Sequence, residues 1–267
     1  MPNLWIAALT ALFAWWFATG AILAVVKRAD AGGRRSHVWA VLLGLPVLAL
    51  GAGMFLDTLG RTETGAVYAA FLAALMIWGW IEMAFLCGVI TGPNRAETPA
   101  DAGGWERFRR AWGAIAHHEL LLFATLVAMA VAAQGAANQA GFLTFAVLFG
   151  ARVSAKLNLF FGVPRINLEF LPDALAHLPT HFRVRRWNAF FPVSVVALAV
   201  TTAALVQATR LAAAPQESLA YALAAAIAAL ALLEHVLMVV PLPDQKLWRW
   251  MLPEPRPTTT PSGEPAE

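Results

Sequence analysis

Seven stretches of this chain are each long and apolar enough to cross a lipid bilayer, and nothing else restricts the fold as tightly. They are residues 4–26, 38–56, 65–90, 111–133, 140–162, 190–208 and 219–240. A hydrocarbon core takes roughly 20 consecutive, mostly apolar residues per helix. The expected fold is therefore all-α, a polytopic bundle of seven transmembrane helices forming one domain over residues 1–250. Composition agrees. The 267 residues are 60% hydrophobic and 13% charged, where a soluble domain runs near 45–50% and 25%. That excludes a soluble globular enzyme. A single cysteine, Cys87, excludes an internal disulfide framework and paired-cysteine metal motifs. A formal charge of only +3 gives no reason to expect nucleic-acid binding. Eleven tryptophans suit anchoring at a membrane interface.

The first apolar run lacks a preceding basic residue, is long, and is followed directly by Lys27 and Arg28. It reads as a retained helix and not as a cleaved signal. The second contains Pro46 and several glycines, which makes it the least regular span. Basic residues near helix ends favour the cytoplasmic side. Lys27, Arg28, Arg34 and Arg35 occupy the first connection, Arg95, Arg107, Arg109 and Arg110 the third, and Arg165, Arg183, Arg185 and Arg186 the fifth. Lys246, Arg249 and Arg256 follow the last span, while the alternate connections hold only Arg61 and Arg210. This alternation places the N-terminus outside and the C-terminus inside, in the cytoplasm. The outer connections are short. The inner ones carry an aromatic, basic helix start at Trp105–Trp112 and a mixed segment at 163–187, with Asn167, Glu169 and Phe170, expected along the interface. Residues 253–267 are rich in proline and poor in apolar side chains, a disordered composition.

Ionisable groups inside a bilayer cost about 2.5–3.5 kcal/mol each on insertion scales, so each requires a reason. Glu82 lies on the third span, His117, His118 and Glu119 on the fourth, Arg152 and Lys156 on the fifth, and Glu234 and His235 on the seventh. At about 1.5 Å rise per residue they share one layer, roughly 6–15 Å below the inner boundary. Glu82, His118, Glu119, Arg152, Glu234 and His235 are expected to converge. Arg152 and Lys156 are four apart and face the same way, whereas neighbours such as Glu234 and His235 diverge by about 100°.

Three kinds of chemistry fit this layer. One is an ion-pair network that fixes helix packing. Another is a divalent metal such as iron, held by Glu82, His117, His118, Glu119, Glu234 and His235 in the manner of carboxylate-bridged bundles. Against it stand the missing Glu-x-x-His spacing and the two nearby cations. The third is a pigment or other tetrapyrrole, with His118 or His235 as axial ligand and Trp78, Trp80 or Phe85 as flat contacts. No phosphate-binding loop, nucleophile elbow, HExxH or dinucleotide fingerprint occurs, so no catalytic residue is assigned.

Three features carry a family resemblance. They are Glu82 followed by Ile90-Thr91-Gly92-Pro93, the run His117-His118-Glu119, and the segment from Arg152-Val153-Ser154-Ala155-Lys156 through Leu171-Pro172. The chain resembles the PuhE family of photosynthetic complex assembly proteins of purple phototrophic bacteria, over nearly its whole length except the Pro/Thr tail. The resemblance implies an inner-membrane protein that assembles reaction-centre or light-harvesting complexes and handles bacteriochlorophyll or modulates its supply. It implies other membrane proteins of the photosynthetic apparatus as partners, besides lipid. It carries over no catalytic residues. The alternative function is a membrane-embedded, metal-dependent oxidoreductase or hydroxylase using the Glu/His layer.

Overall fold

The structure is a computed structural model that describes residues 3–99, 101–166, 168 and 171–240. The expectations for residues 253–267, for Lys246, Arg249 and Arg256, and for Asn167, Glu169 and Phe170 lie outside the described residues. Six α-helices follow one another: α1 (Leu4–Thr58), α2 (Thr64–Leu86), α3 (Gly104–Ala132), α4 (Ala140–Phe161), α5 (Phe190–Leu211) and α6 (Pro215–Leu237). Among the described residues the only extended pairing is an isolated bridge between Val163 and Val184. All six helices are long and apolar enough to cross a membrane, and the chain has the character of a multi-pass membrane protein.

At 55 residues, α1 would measure roughly 80 Å if straight. It is not straight. Gly33 has φ 70° and ψ −169°, outside the helical region and within the range that glycine alone adopts cheaply. On either side of it lie two arms. In the first, Ala7 and Ala11 pack near Val67 and Phe71, and Val26 near Met83 and Ala84. Its contacts climb α2 in the same direction as the sequence. In the second, Gly44 faces Trp80 and Met83, and Gly51 faces Ala73, Met76 and Ile77. These contacts descend α2, so the two arms are antiparallel. His37 Nε2 lies 3.2 Å from Asp30 Oδ1 across the bend. Two antiparallel arms each spend their small residues, Ala7, Ala11, Gly44 and Gly51, on close approach to α2, as membrane helices generally do.

Helix α2 is the hub, and most of its side chains are buried. It packs on α1, α4, α6 and α3, while α5 rests against α6 at the periphery. At one end Asn138 joins the short turns: its N–H donates to Leu59 O, its side-chain amide donates to Ala66 O, and its Oδ1 accepts from the Ala140 N–H. The opposite end gathers the α1 bend, residues 87–99 and 101–103, and the 3-10 turns that precede α5. Two short 3-10 turns there, Asp173–Leu175 and Leu178–His181, pack Leu175 and Leu178 onto Phe85 and Ala114. Among the described residues, the first, third and fifth connections, which carry the basic residues read from sequence, sit at this end.

α3 begins at Gly104, so the aromatic, basic turn Trp105–Trp112 is continuous with the apolar helix. α2 stops at Leu86, four residues before the expected end of its apolar run. A cap at Cys87 and Gly88 closes it, with the Val89 and Ile90 N–H groups donating to Ala84 O. The Gly92-Pro93 pair therefore does not terminate α2. Gly92 serves a different purpose, described below.

A buried ion network beside an aromatic groove

Glu82 on α2, His118 and Glu119 on α3, and Arg152 and Lys156 on α4 meet in one cluster. Arg152 Nη2 donates to Glu82 Oε2 at 2.8 Å. Lys156 Nζ donates to Glu119 Oε1. His118 Nδ1 lies 3.1 Å from Lys156 Nζ and 3.2 Å from Glu119 Oε1. Its Nε2 is 3.6 Å from Glu82 Oε1, an electrostatic contact too long for a hydrogen bond. The imidazole thus sits between the two acids, with Nδ1 facing Glu119 and the lysine ammonium and Nε2 facing Glu82. Two carboxylates against two cations close the charge. The i,i+4 spacing of Arg152 and Lys156 lets one face of α4 serve both acids, one on each neighbouring helix. Phe85 caps the cluster: its ring is 4.3 Å from that of His118 and 5.2 Å from Lys156 Nζ, a cation–π contact.

The backbone of α3 is held at this level by residues 91–94. The His118 N–H donates to Thr91 O at 2.9 Å, the Asn94 N–H to Gly113 O at 3.0 Å, and Asn94 Nδ2 to Arg110 O at 3.0 Å. Gly92 lies directly on α3. A Cβ there would overlap the Gly113 carbonyl oxygen and come within 2.8 Å of the Ala114 carbonyl carbon. The absence of a side chain is what lets this segment reach the helix that carries His118 and Glu119.

Next to the network runs a cavity of about 1130 Å³. α4 and α6 form its floor. The first arm of α1 and α3 flank it without substantial contact with each other. Its lining is mainly aromatic and aliphatic, with Phe13, Trp16, Phe85, Phe108, Trp112 and Phe160 among the rings. Polar groups enter at few points: Glu119, Arg152 and Lys156 on one side, Glu234 on α6, and Arg165 and His181 at the basic end. A large apolar space with sparse, localised polar groups has the form of a small-molecule site, and its volume slightly exceeds the usual range of about 300–1,000 Å³.

One family model, described as a protein of unknown function (DUF3623), matches residues 1–259. The chain belongs to the DUF3623 family. A relative from Rhodobacter capsulatus, described as an uncharacterized 30.4 kDa protein in the puhA 5' region, is 46% identical over 274 residues, covering 99% of this chain and all of the relative. No solved structure matches.

In this DUF3623 chain the layer of ionisable residues divides into parts. Glu82, His118, Glu119 and Arg152 converge, and Lys156 joins them. Glu234 is exposed to the groove. His235 is buried and turned elsewhere: its Nδ1–H donates to Ala231 O at 2.8 Å, and its Nε2 accepts from Ser154 Oγ at 2.9 Å. Both ring nitrogens are thereby occupied, Nδ1 within α6 and Nε2 in tying α6 to α4. His117 is exposed on a different face of α3 and joins neither group. Of the flat contacts expected for a pigment, Phe85 lines the groove. Trp78 packs edge-on against Phe145 in the core, and Trp80 donates to Val41 O.

The converged acids already share oxygens with Arg152 and Lys156. Among the described residues, no three His, Cys, Asp or Glu side chains are grouped to hold a metal ion. The donor set fits an ion network better than a metal centre.

Other buried polar groups join the helices: Asn158 is legible in the sequence as a polar residue on the same span as Arg152 and Lys156, whereas Asn188, Thr98 and His181 carried no sequence signal. Asn158, fully buried, donates to Ser154 O and Ser194 Oγ, and Asn188 donates to Gly162 O at 2.5 Å; together they link α4 to α5. At the basic end, His181 Nδ1 lies 2.5 Å from Thr98 Oγ1, and Arg107 Nη2 donates to His181 O. Burial above all, then His177 and Arg110, holds the His181 imidazole down to about 4, so it is neutral at neutral pH.

Proposed function

We propose that this protein is an inner-membrane assembly factor for the photosynthetic reaction-centre and light-harvesting complexes, and that it holds a bacteriochlorophyll-type pigment in the groove between α1 and α3. This is the role that the resemblance to the PuhE family implies. The place of the Rhodobacter capsulatus relative beside puhA, a photosynthesis gene region, supports it. The observation that carries it is the groove: about 1130 Å³ of aromatic-lined space in an apolar bundle, with polar groups confined to a few points. A flat, largely apolar macrocycle with a few polar substituents matches that distribution. The bound pigment would supply light absorption; the chain supplies the rings that stack on it and the walls that exclude water. The neighbouring ion network holds α2, α3 and α4 in register, so that the groove keeps its shape while it is empty. Partners would be lipids and other membrane proteins of the photosynthetic apparatus.

The test is pigment binding by the purified protein. Wild-type protein mixed with bacteriochlorophyll in detergent is expected to retain pigment through gel filtration and to shift its absorption. Ala155 lies in the floor of the groove, and Ala155→Trp is expected to abolish retention while leaving the unfolding temperature close to wild type. Equal retention by both proteins would overturn the groove as the site.

The same reading includes seven crossings with the N-terminus in the periplasm. Its support is the antiparallel course of the two α1 arms along α2 and the clustering of basic connections at one end. Reporter fusions at residues 60 and 137 should read periplasmic, and those at 33, 98 and 175 cytoplasmic. A periplasmic signal at residue 33 would remove the seventh crossing.

A further inference from the structure

We infer that His181 is the axial ligand through which the groove recognises the central metal of a metallated macrocycle. The inference rests on the pigment reading above and assigns a residue to it. It proceeds by comparison among the six histidines of the chain. An axial ligand needs a neutral imidazole with one nitrogen lone pair free and a place on the wall of the cavity. His235 has both nitrogens hydrogen-bonded. His118 is fully buried within the ion network, and neither it nor His37, His117 or His177 belongs to the lining. His181 alone lines the groove and also has a buried ring nitrogen, Nε2, with no hydrogen-bond partner.

A buried imidazole nitrogen left without a partner is costly, and only 4% of the residue is exposed. The rest of the residue is fixed as a ligand's would be. Metal-bound histidines almost always donate their second ring N–H to an oxygen, which sets the tautomer and the ring plane. Thr98 Oγ1, 2.5 Å from Nδ1, is positioned to accept that bond, which leaves the Nε2 lone pair unprotonated. Thr98 is itself held, since its N–H donates to Thr180 Oγ1. Arg107 fixes the backbone by donating to His181 O, while its guanidinium lies 5.5 Å from the centre of the Phe160 ring, which also lines the groove.

The experiment compares a magnesium bacteriochlorin with its metal-free counterpart, each titrated into purified protein in detergent and followed by absorption. Wild-type protein should bind the magnesium form at least tenfold more tightly. His181→Gly should lose that preference and regain it on addition of free imidazole, with binding of the metal-free form unchanged. Thr98→Val, which keeps the ring but removes its orienting oxygen, should reduce the preference by a smaller factor. A magnesium preference that survives in His181→Gly would overturn the assignment, as would equal binding of the two forms by wild-type protein. Failure of wild-type protein to bind either form would instead overturn the pigment reading beneath it.

Discussion

Replacing Lys156 by methionine is expected to destabilise the protein by about 3–5 kcal/mol, the range for removing one partner of a buried ion pair. The side chain of Lys156 is 16% exposed and that of Glu119 10%, so the stranded carboxylate has little access to solvent. Glu119→Gln should be costly for the converse reason, leaving the Lys156 ammonium a hydrogen-bond acceptor but no counter-charge. The double variant should cost clearly less than the sum of the two, because each change removes the group that the other leaves unpaired. Unfolding in detergent, followed by circular dichroism across the double-mutant cycle, measures that coupling. Additive losses would mean that the two charges do not depend on each other. The same cycle on Glu82 and Arg152 should give a smaller coupling, since the Arg152 side chain is 35% exposed.

The second large effect is expected at Gly92. Gly92→Ala inserts a methyl group where the Gly113 carbonyl oxygen already lies. Both contacts are backbone, so no flexible side chain can move aside. Residues 91–94 must then lift from α3, which breaks the bonds from the His118 N–H to Thr91 O and from the Asn94 N–H to Gly113 O. The expected loss is at or above the top of the roughly 1–3 kcal/mol typical of overpacking. Any pigment binding should weaken in parallel, because His118 and Glu119 lose their fixed depth. Gly53, where an added Cβ meets nothing within 4 Å, provides the control: Gly53→Ala should be neutral or slightly stabilising in its helix. An unfolding temperature for Gly92→Ala equal to that of the control would show that the close approach is not maintained.

Sequence alone reached the helices because a bilayer leaves little choice: a run of some 20 apolar residues has to become a helix. It also reached the ion pairs, since a charge in hydrocarbon needs a partner and the i,i+4 spacing of Arg152 and Lys156 gives both one direction. It did not resolve Glu234 from His235. Adjacent helical residues diverge, and which one turns inward depends on Ser154 of α4, 81 residues away. Gly92 carries a misleading local signal for a related reason. A glycine before a proline carries a strong local meaning as a stop, whereas its use here depends on the arrival of Gly113. His181 was invisible because it lies in an irregular segment without period, and its partner Thr98 belongs to a different connection. Local pattern specifies elements and their faces; it does not specify which loops fold over one another.

The two flanks of the groove, the first arm of α1 and α3, do not close on each other, and Leu12 and Phe13 on one of them remain 45% and 62% exposed. An occupant therefore has a sideways route from the hydrocarbon phase without passing through water. For a hydrophobic molecule this changes the arithmetic of capture. Partitioning, worth about 0.8 kcal/mol for each buried methylene, has concentrated it in the bilayer before it meets the protein. The search is then confined to a plane, and the site needs to bind only more tightly than lipid does. Modest intrinsic affinity would suffice, and a molecule held so lightly could be passed on to a neighbouring membrane protein by the same sideways route.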